Sequence, residues 1–111
     1  LLTSVGSGTQ EVWKALKNGE SGIGPITQFD AAAFSTRIAG EVKNFDPTQF
    51  IEKKEIKKMG RFVQYAIAAS DFAMKQSALI VSESEAERVG VYIGSGIGCF
   101  GVIEREARTR I

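Results

Sequence analysis

Three stretches of this chain carry residue types that could do chemistry: a lone cysteine, the glycine-rich turn around it, and a cluster of lysines. Cys99 stands in Gly94-Ser-Gly-Ile-Gly-Cys-Phe-Gly101, directly before a helical pattern. The partial positive charge of a helix N-terminus can lower a thiol pKa at such a place. A nucleophilic thiolate also needs a base, and the sequence has no histidine. Neither a Cys-His nor a Ser-His-Asp arrangement can therefore be assembled from these residues. The preferred reading of Cys99 is a small residue packed in a tight turn. One cysteine without histidine also leaves zinc without its usual ligands, so no metal and no cofactor is expected.

The turn itself invites a different chemistry. Gly96-Ile97-Gly98-Cys99-Phe100-Gly101 fits G-x-G-x-x-G between an expected strand and an expected helix, the order of a dinucleotide fingerprint. That fingerprint also needs an acidic residue about 20 positions on to hold the ribose, beyond Ile111, where this sequence stops. A tight structural or ligand-facing turn is preferred, with glycine used where a side chain would be too close to its surroundings. Ile97 is the branched apolar residue in the middle of the run. Its role stays open between a core plug and a side chain lining an apolar ligand tunnel.

Lys53-Lys54-Glu55-Ile56-Lys57-Lys58-Met59-Gly60-Arg61 is locally basic. An ordinary solvated helix face accounts for most such runs. Cations in a first helical turn, however, oppose the helix dipole at about 0.3–1 kcal/mol each. A local rule broken repeatedly in one place hints at an acidic partner. No aromatic ladder interleaves with the lysines, which argues against single-stranded nucleic acid.

The elements that must position these groups read as an α/β chain. Val89, Val91 and Ile93 alternate toward the glycine turn as a buried strand, and Val102, Ile103, Glu104 and Ala107 continue as a helix. The longest element is expected from about Lys54 to Ala78. There Ile56, Met59, Val63, Ala66, Ile67 and Ala73 form one stripe, and Phe62, Tyr65, Ala69 and Phe72 a second. Lys57, Arg61, Gln64, Asp71 and Lys75 mark a narrow polar edge, so most of the circumference should be covered. Asp71 and Lys75 are placed for an ion pair one turn apart.

Upstream, Leu1 to Gly8 reads as a loop. Ser7 and Gln10 form a capping-box pattern before a short helix through Val12, Trp13 and Leu16 that stops at Gly19. Ser21 to Asp30, with Gly22, Gly24 and Pro25, reads as loop. A brief strand is expected over Arg37–Val42, a helix start at Asp46-Pro47, and a solvated link over Ser82–Arg88.

Fourteen basic against thirteen acidic side chains leave +1, so no global field points to nucleic acid or membrane. No run approaches the roughly 18 apolar residues of a transmembrane helix. A single cysteine fits a reducing compartment, and a cytoplasmic location is expected. The chain is one domain's worth at most. It begins at Leu1 and reaches Ile111 inside an unfinished helical pattern, so a piece of a longer protein is expected.

Several segments together resemble the N-terminal region of the elongating β-ketoacyl-acyl carrier protein synthases, the condensing enzymes of bacterial type II fatty acid synthesis. They are Val5-Gly6, Val12-Trp-Lys-Ala-Leu16, Gly19-Glu-Ser-Gly-Ile23, Phe34-Ser-Thr-Arg-Ile-Ala-Gly-Glu-Val-Lys-Asn-Phe-Asp-Pro47, Lys57-Lys-Met59, Phe62-Val-Gln-Tyr-Ala66 and Ile93-Gly-Ser-Gly-Ile-Gly98. The resemblance covers nearly the whole chain in order. It implies an α/β, thiolase-like layered α/β/α/β/α fold of which residues 1–111 are a partial N-terminal half, without the first strand. It implies decarboxylative Claisen condensation of acyl and malonyl thioesters carried on acyl carrier protein, in a protein that is usually a homodimer. The family's nucleophilic cysteine and two histidines lie downstream of the matched region, so no catalytic residue is expected in this chain and Cys99 is not the nucleophile. The resemblance gives Ile97 the role of gating an acyl pocket beside Gly96, Gly98 and Cys99, and gives Lys54, Lys57 and Lys58 the docking of an acidic carrier protein. A polyketide ketosynthase and a non-catalytic carrier-protein docking piece remain as alternatives.

Overall fold

The computed structural model describes residues 1–110, and the end of the expected C-terminal pattern at Ile111 lies outside the described residues. The chain divides into two compact units, Leu1–Asp46 and Pro47–Ile111.

The first unit is two hairpins and a helix. Leu1–Gly8, expected as loop, holds a minimal antiparallel hairpin of β1 (Leu2–Thr3) and β2 (Gly6–Ser7). It closes because the Thr3 hydroxyl donates to the Gly6 carbonyl at 3.1 Å and accepts from the Val5 N–H at 3.3 Å. Helix α1 spans Thr9–Lys17. The Ser7–Gln10 capping box does not form: Gly8 is the cap, and the Glu11 carboxylate accepts from the Ser7 N–H at 2.9 Å. The stop is as expected. Gly19 takes φ 67°, its N–H reaches the Leu16 carbonyl, and the Glu20 N–H reaches that of Ala15. This paired closure is the one that needs a left-handed residue at the end of a helix. Val12 and Ala15 are the buried residues of α1, while Trp13 and Leu16 are exposed.

Part of the Gly- and Pro-rich stretch expected as loop is a strand. β3 (Ile23–Pro25) pairs antiparallel with β4 (Ile38–Gly40), which lies inside the expected Arg37–Val42 segment. Proline is tolerated there because this two-stranded ribbon has no interior strand. Gly22 is required by packing, since a Cβ at that position would lie 2.8 Å from the Ser4 carbonyl carbon.

The second unit starts with a 3₁₀ turn over Pro47–Gln49, which realises the helix start expected at Asp46-Pro47 as a single turn. The long helix expected from Lys54 to Ala78 is two helices. α2 covers Lys53–Ile56 and α3 covers Arg61–Ser77, with extended backbone at Gly60 between them. At the break the Gln64 side chain donates to the Ile56 and Met59 carbonyls, and Gly60 is packed closely, since a Cβ there would lie 2.6 Å from the Cys99 Cβ. α3 ends on Ala78 in the left-handed conformation, φ 53°. Its most deeply buried positions are Gln64 and Ala68, one turn apart, and both expected apolar stripes stay half-buried or exposed. Phe50 meets Phe72 edge to face at a 5.4 Å centroid distance.

Ser82–Arg88 is an exposed link, as expected, with a 3₁₀ turn over Ala86–Arg88. The strand expected at Val89–Ile93 is not part of any ladder among the described residues. Val91 is 83% exposed and Ile93 56%. An extended segment becomes a strand only when a neighbour takes its backbone groups, and no described segment does so. Helix α4 follows over Phe100–Thr109, where the periodicity places it.

Candidate functional site

The glycine turn is built on the start of α3. Cys99 is the residue that caps α4. Its side chain rests on Gly60, where an added Cβ would lie 3.1 Å from Sγ as well as 2.6 Å from Cβ. This close fit supports the packed-residue reading of Cys99. Gly98 takes φ 79°, a conformation that favours glycine, and its N–H donates to the Ser95 hydroxyl at 3.1 Å. The Phe62 ring covers Gly98, 3.5 Å from where a Cβ would stand. Gly96 has open space on its Cβ side, and Ile97 is 74% exposed. The four expected pocket residues thus share one turn, in which Gly98 and Cys99 are packed and Gly96 and Ile97 face outward.

An apolar groove of about 360 Å³ lies beside this turn, lined by Phe62, Val63, Ala66, Ile67 and Ser70 of α3 with Val91 and Ile93. None of Gly96, Ile97, Gly98 or Cys99 lines it. Phe62 is the residue shared by the groove wall and the turn. Val63, Ala66 and Ile67 entered the sequence reading only as core positions. The signal for their place in the groove wall is an apolar helix face opposite an alternating segment whose register is left unpaired.

The lysine cluster sits on α2 and the bend after it. Lys54 pairs with Glu52 at 2.8 Å and Lys58 with Glu55 at 2.8 Å, all on exposed side chains. Exposed pairs of this kind are worth only about 0–1 kcal/mol, so they leave the cluster available to a partner. Five cations and two carboxylates fall between Glu52 and Arg61, and the patch is basic. The dipole argument for this cluster needs correction. α2 is a single turn ending at Ile56 with Lys57 as its cap residue, so Lys53 and Lys54 lie in its first and last turn alike, Lys57 and Lys58 follow its end, and no long-helix dipole opposes the cluster.

Gln64, assigned to a polar edge, is instead 7% exposed. Its Nε2 donates to the carbonyls of Ile56 and Met59, each at 3.3 Å. The Ile56 carbonyl, which also accepts from the Met59 N–H at 3.4 Å, ends α2, and the Met59 carbonyl follows in the bend. Gln64 therefore ties the bend to α3.

Two carboxylates elsewhere are held below their ordinary range. Glu41 accepts from the Thr27 hydroxyl at 2.7 Å, from the Thr27 N–H at 3.0 Å and from the Gln28 N–H at 3.3 Å; the hydroxyl is the largest cause of its lowered pKa. Glu85 is lowered chiefly by the Ser82 hydroxyl, 2.6 Å away. Both are hydrogen-bond effects at the protein surface. Asp71 and Lys75 form the expected ion pair at 2.7 Å. Among the described residues no group of three His, Cys, Asp or Glu side chains is placed to hold a metal ion.

A family model described as the N-terminal domain of beta-ketoacyl synthases matches residues 1–110. The chain belongs to the beta-ketoacyl synthase family. Within that family it is 46% identical to the 3-oxoacyl-[acyl-carrier-protein] synthase 2 of Synechocystis, over 93% of this chain and 25% of the relative. It is 51% identical to the Vibrio harveyi protein of the same name, over 94% of this chain and 25% of the relative. The Coxiella burnetii protein of that name is 44% identical over 95% and 25%. Among solved structures it resembles the ishigamide ketosynthase/chain length factor, with TM-score 0.64 and 38% identity, over 71% of this chain and 20% of the other. The chain thus spans about a quarter of the length of the synthases it matches. The α/β, thiolase-like fold class expected from sequence is borne out by these likenesses.

Proposed function

We propose that residues 1–111 are part of the N-terminal half of a 3-oxoacyl-[acyl-carrier-protein] synthase that elongates fatty acids. The observation that carries this reading is the match of a beta-ketoacyl synthase model along residues 1–110, joined by 44–51% identity to three synthases of that name. In the proposed reaction an acyl group leaves its carrier thiol for a cysteine of the synthase. Malonyl-carrier protein then loses CO₂, and the resulting carbanion attacks the acyl thioester carbonyl. The product is 3-oxoacyl-carrier protein, and the cysteine thiol is released. Nucleophile and histidines come from sequence outside this chain, which has no histidine and whose one cysteine is packed on Gly60. On this reading Ile97 gates the acyl pocket with Gly96, Gly98 and Cys99, and the exposed apolar groove is the adjoining wall on which an acyl chain or neighbouring core packs. Lys54, Lys57 and Lys58 dock the acidic carrier protein. The parent protein is a cytoplasmic homodimer.

The test is condensation by the full-length synthase supplied with acyl- and malonyl-carrier protein, with release of CO₂ and 3-oxoacyl product expected. Failure to condense either would refute the reading. The 111-residue chain alone should be inactive. The likeness to the ishigamide ketosynthase/chain length factor favours a second reading, a polyketide-type ketosynthase. Products retaining successive 3-oxo groups would support that reading over fatty acid elongation.

A further inference from the structure

We propose that Gln64 is a positioning residue for carrier-protein docking, because its buried side-chain amide fixes the bend that carries Lys57 and Lys58. This inference rests on the docking role proposed for those lysines. The helical pattern from Lys54 onward would continue through Gly60 if local preference decided it. Instead the backbone is extended at Gly60 and helix restarts at Arg61. A bend of this kind leaves acceptors poorly served: the Ile56 carbonyl has a long contact from the Met59 N–H at 3.4 Å, and the Met59 carbonyl lies between the two helices. The Gln64 Nε2 lies 3.3 Å from both. The Gln64 N–H also closes the first turn of α3 on the Gly60 carbonyl at 3.3 Å. One residue thus holds the bend through its backbone and its side chain, and it is among the few buried residues of the second unit.

The bend has two faces. Outward it presents Lys57 and Lys58, both exposed. Inward it presents Gly60 as the floor beneath Cys99. Charged docking surfaces work through geometry as well as net charge, and residues that lock such geometry act without touching the ligand. If Gln64 stopped donating, α2 would be free to rejoin α3 or to swing away. Either movement displaces the lysines and lifts the floor from the only thiol in the chain.

The test uses the full-length synthase, titrated with acyl carrier protein, and four changes. Gln64→Leu keeps the volume and removes both donors. It should weaken binding about tenfold, the scale expected from losing buried hydrogen bonds that fix a surface, and it should speed reaction of Cys99 with a thiol reagent, read on the Cys99 peptide by mass spectrometry. Gln64→Glu places an acceptor against two acceptors. Its binding deficit relative to the native chain at the same pH should shrink as the pH falls, because a protonated carboxyl can donate again. Ala68→Gly weakens α3 one turn away without touching the bend, and should leave carrier affinity unchanged. The pair Lys57→Glu and Lys58→Glu reports on docking itself. Native-like binding by that charge-reversed pair would overturn the docking role and this inference with it. Loss of binding in that pair but native affinity in Gln64→Leu would overturn the inference alone. Equal losses in Gln64→Leu and Ala68→Gly, or a pH-independent deficit in Gln64→Glu, would assign Gln64 a merely structural role and also overturn it.

Discussion

Replacing Gly60 by alanine isolates the packing at the bend, because the backbone there suits any residue. Gly60 has φ −73° and ψ 161°, so alanine meets no conformational strain. What it meets is Cys99. The added Cβ would stand 2.6 Å from the Cys99 Cβ and 3.1 Å from its Sγ, so one partner must retreat by about 1 Å to reach ordinary contact. Inserting a methyl group into a filled space costs about 1–3 kcal/mol. Exchanging the capping glycine of α3 for alanine adds about 0.5 kcal/mol. A loss of about 2 kcal/mol is expected for Gly60→Ala. The assay is urea unfolding followed by circular dichroism, run as a double-mutant cycle with Cys99→Gly, which removes the opposing Cβ. In that background only the capping cost remains, so the coupling energy should be about 1–2 kcal/mol. The reaction rate of the single thiol gives a second readout, and it should rise in Gly60→Ala. A coupling energy below about 0.3 kcal/mol, the error of independent sites, would refute the view that Gly60 is packed against Cys99.

Three further outcomes are expected. Ala78→Gly should stabilise α3 by about 1 kcal/mol, because Ala78 closes it at φ 53°, where a Cβ is strained; thermal unfolding measures this, and a lower midpoint would contradict it. Glu41 has a folded-state pKa depressed from its ordinary value of 4.5, so its clasp on Thr27 and Gln28 contributes stability above that value and loses it as the pH falls through the folded-state pKa. NMR titration of the Thr27 amide should follow this loss, and Glu41→Gln should abolish it; an unchanged titration would show that another group is responsible. Ile97→Ala should change stability by less than about 0.5 kcal/mol because the side chain is mostly exposed, yet shift acyl chain length in the full-length synthase; unchanged products would remove Ile97 from the pocket.

The parts of the fold that could be read from sequence are those whose causes are local. Gly19 ends α1 because a left-handed residue is needed within four residues of its partners, and α4 follows its own periodicity. Pro47 opens a turn because its missing N–H costs nothing there. The hairpin of β3 and β4 was half visible. Ile38–Gly40 has strand character by itself, whereas Ile23–Pro25 becomes a strand only through its partner. The exposed position of Ile97, and its absence from the wall of the groove, likewise depend on where α3 lies. No window of residues around Ile97 encodes that.

The least legible feature is the bend at Gly60, and it organises the candidate site. A glycine inside an apolar helical pattern is tolerated at about 1 kcal/mol, so sequence periodicity runs straight through it. At the break Gly60 is packed against Cys99, a residue distant in sequence, and the bend is tied by Gln64, a polar residue that periodicity sends to the surface. Once the helix is broken, Lys57 and Lys58 no longer stand in the first turn of a long helix but follow the end of a single turn. Cys99 keeps the packed role expected of it, with Gly60 as its partner. The lysines and the glycine turn then meet at one bend, Lys57 and Lys58 just before Gly60 and Cys99 packed against it, so a variant that disturbs either should be felt at the other. Two independent elements joined by a continuous helix would have no such coupling.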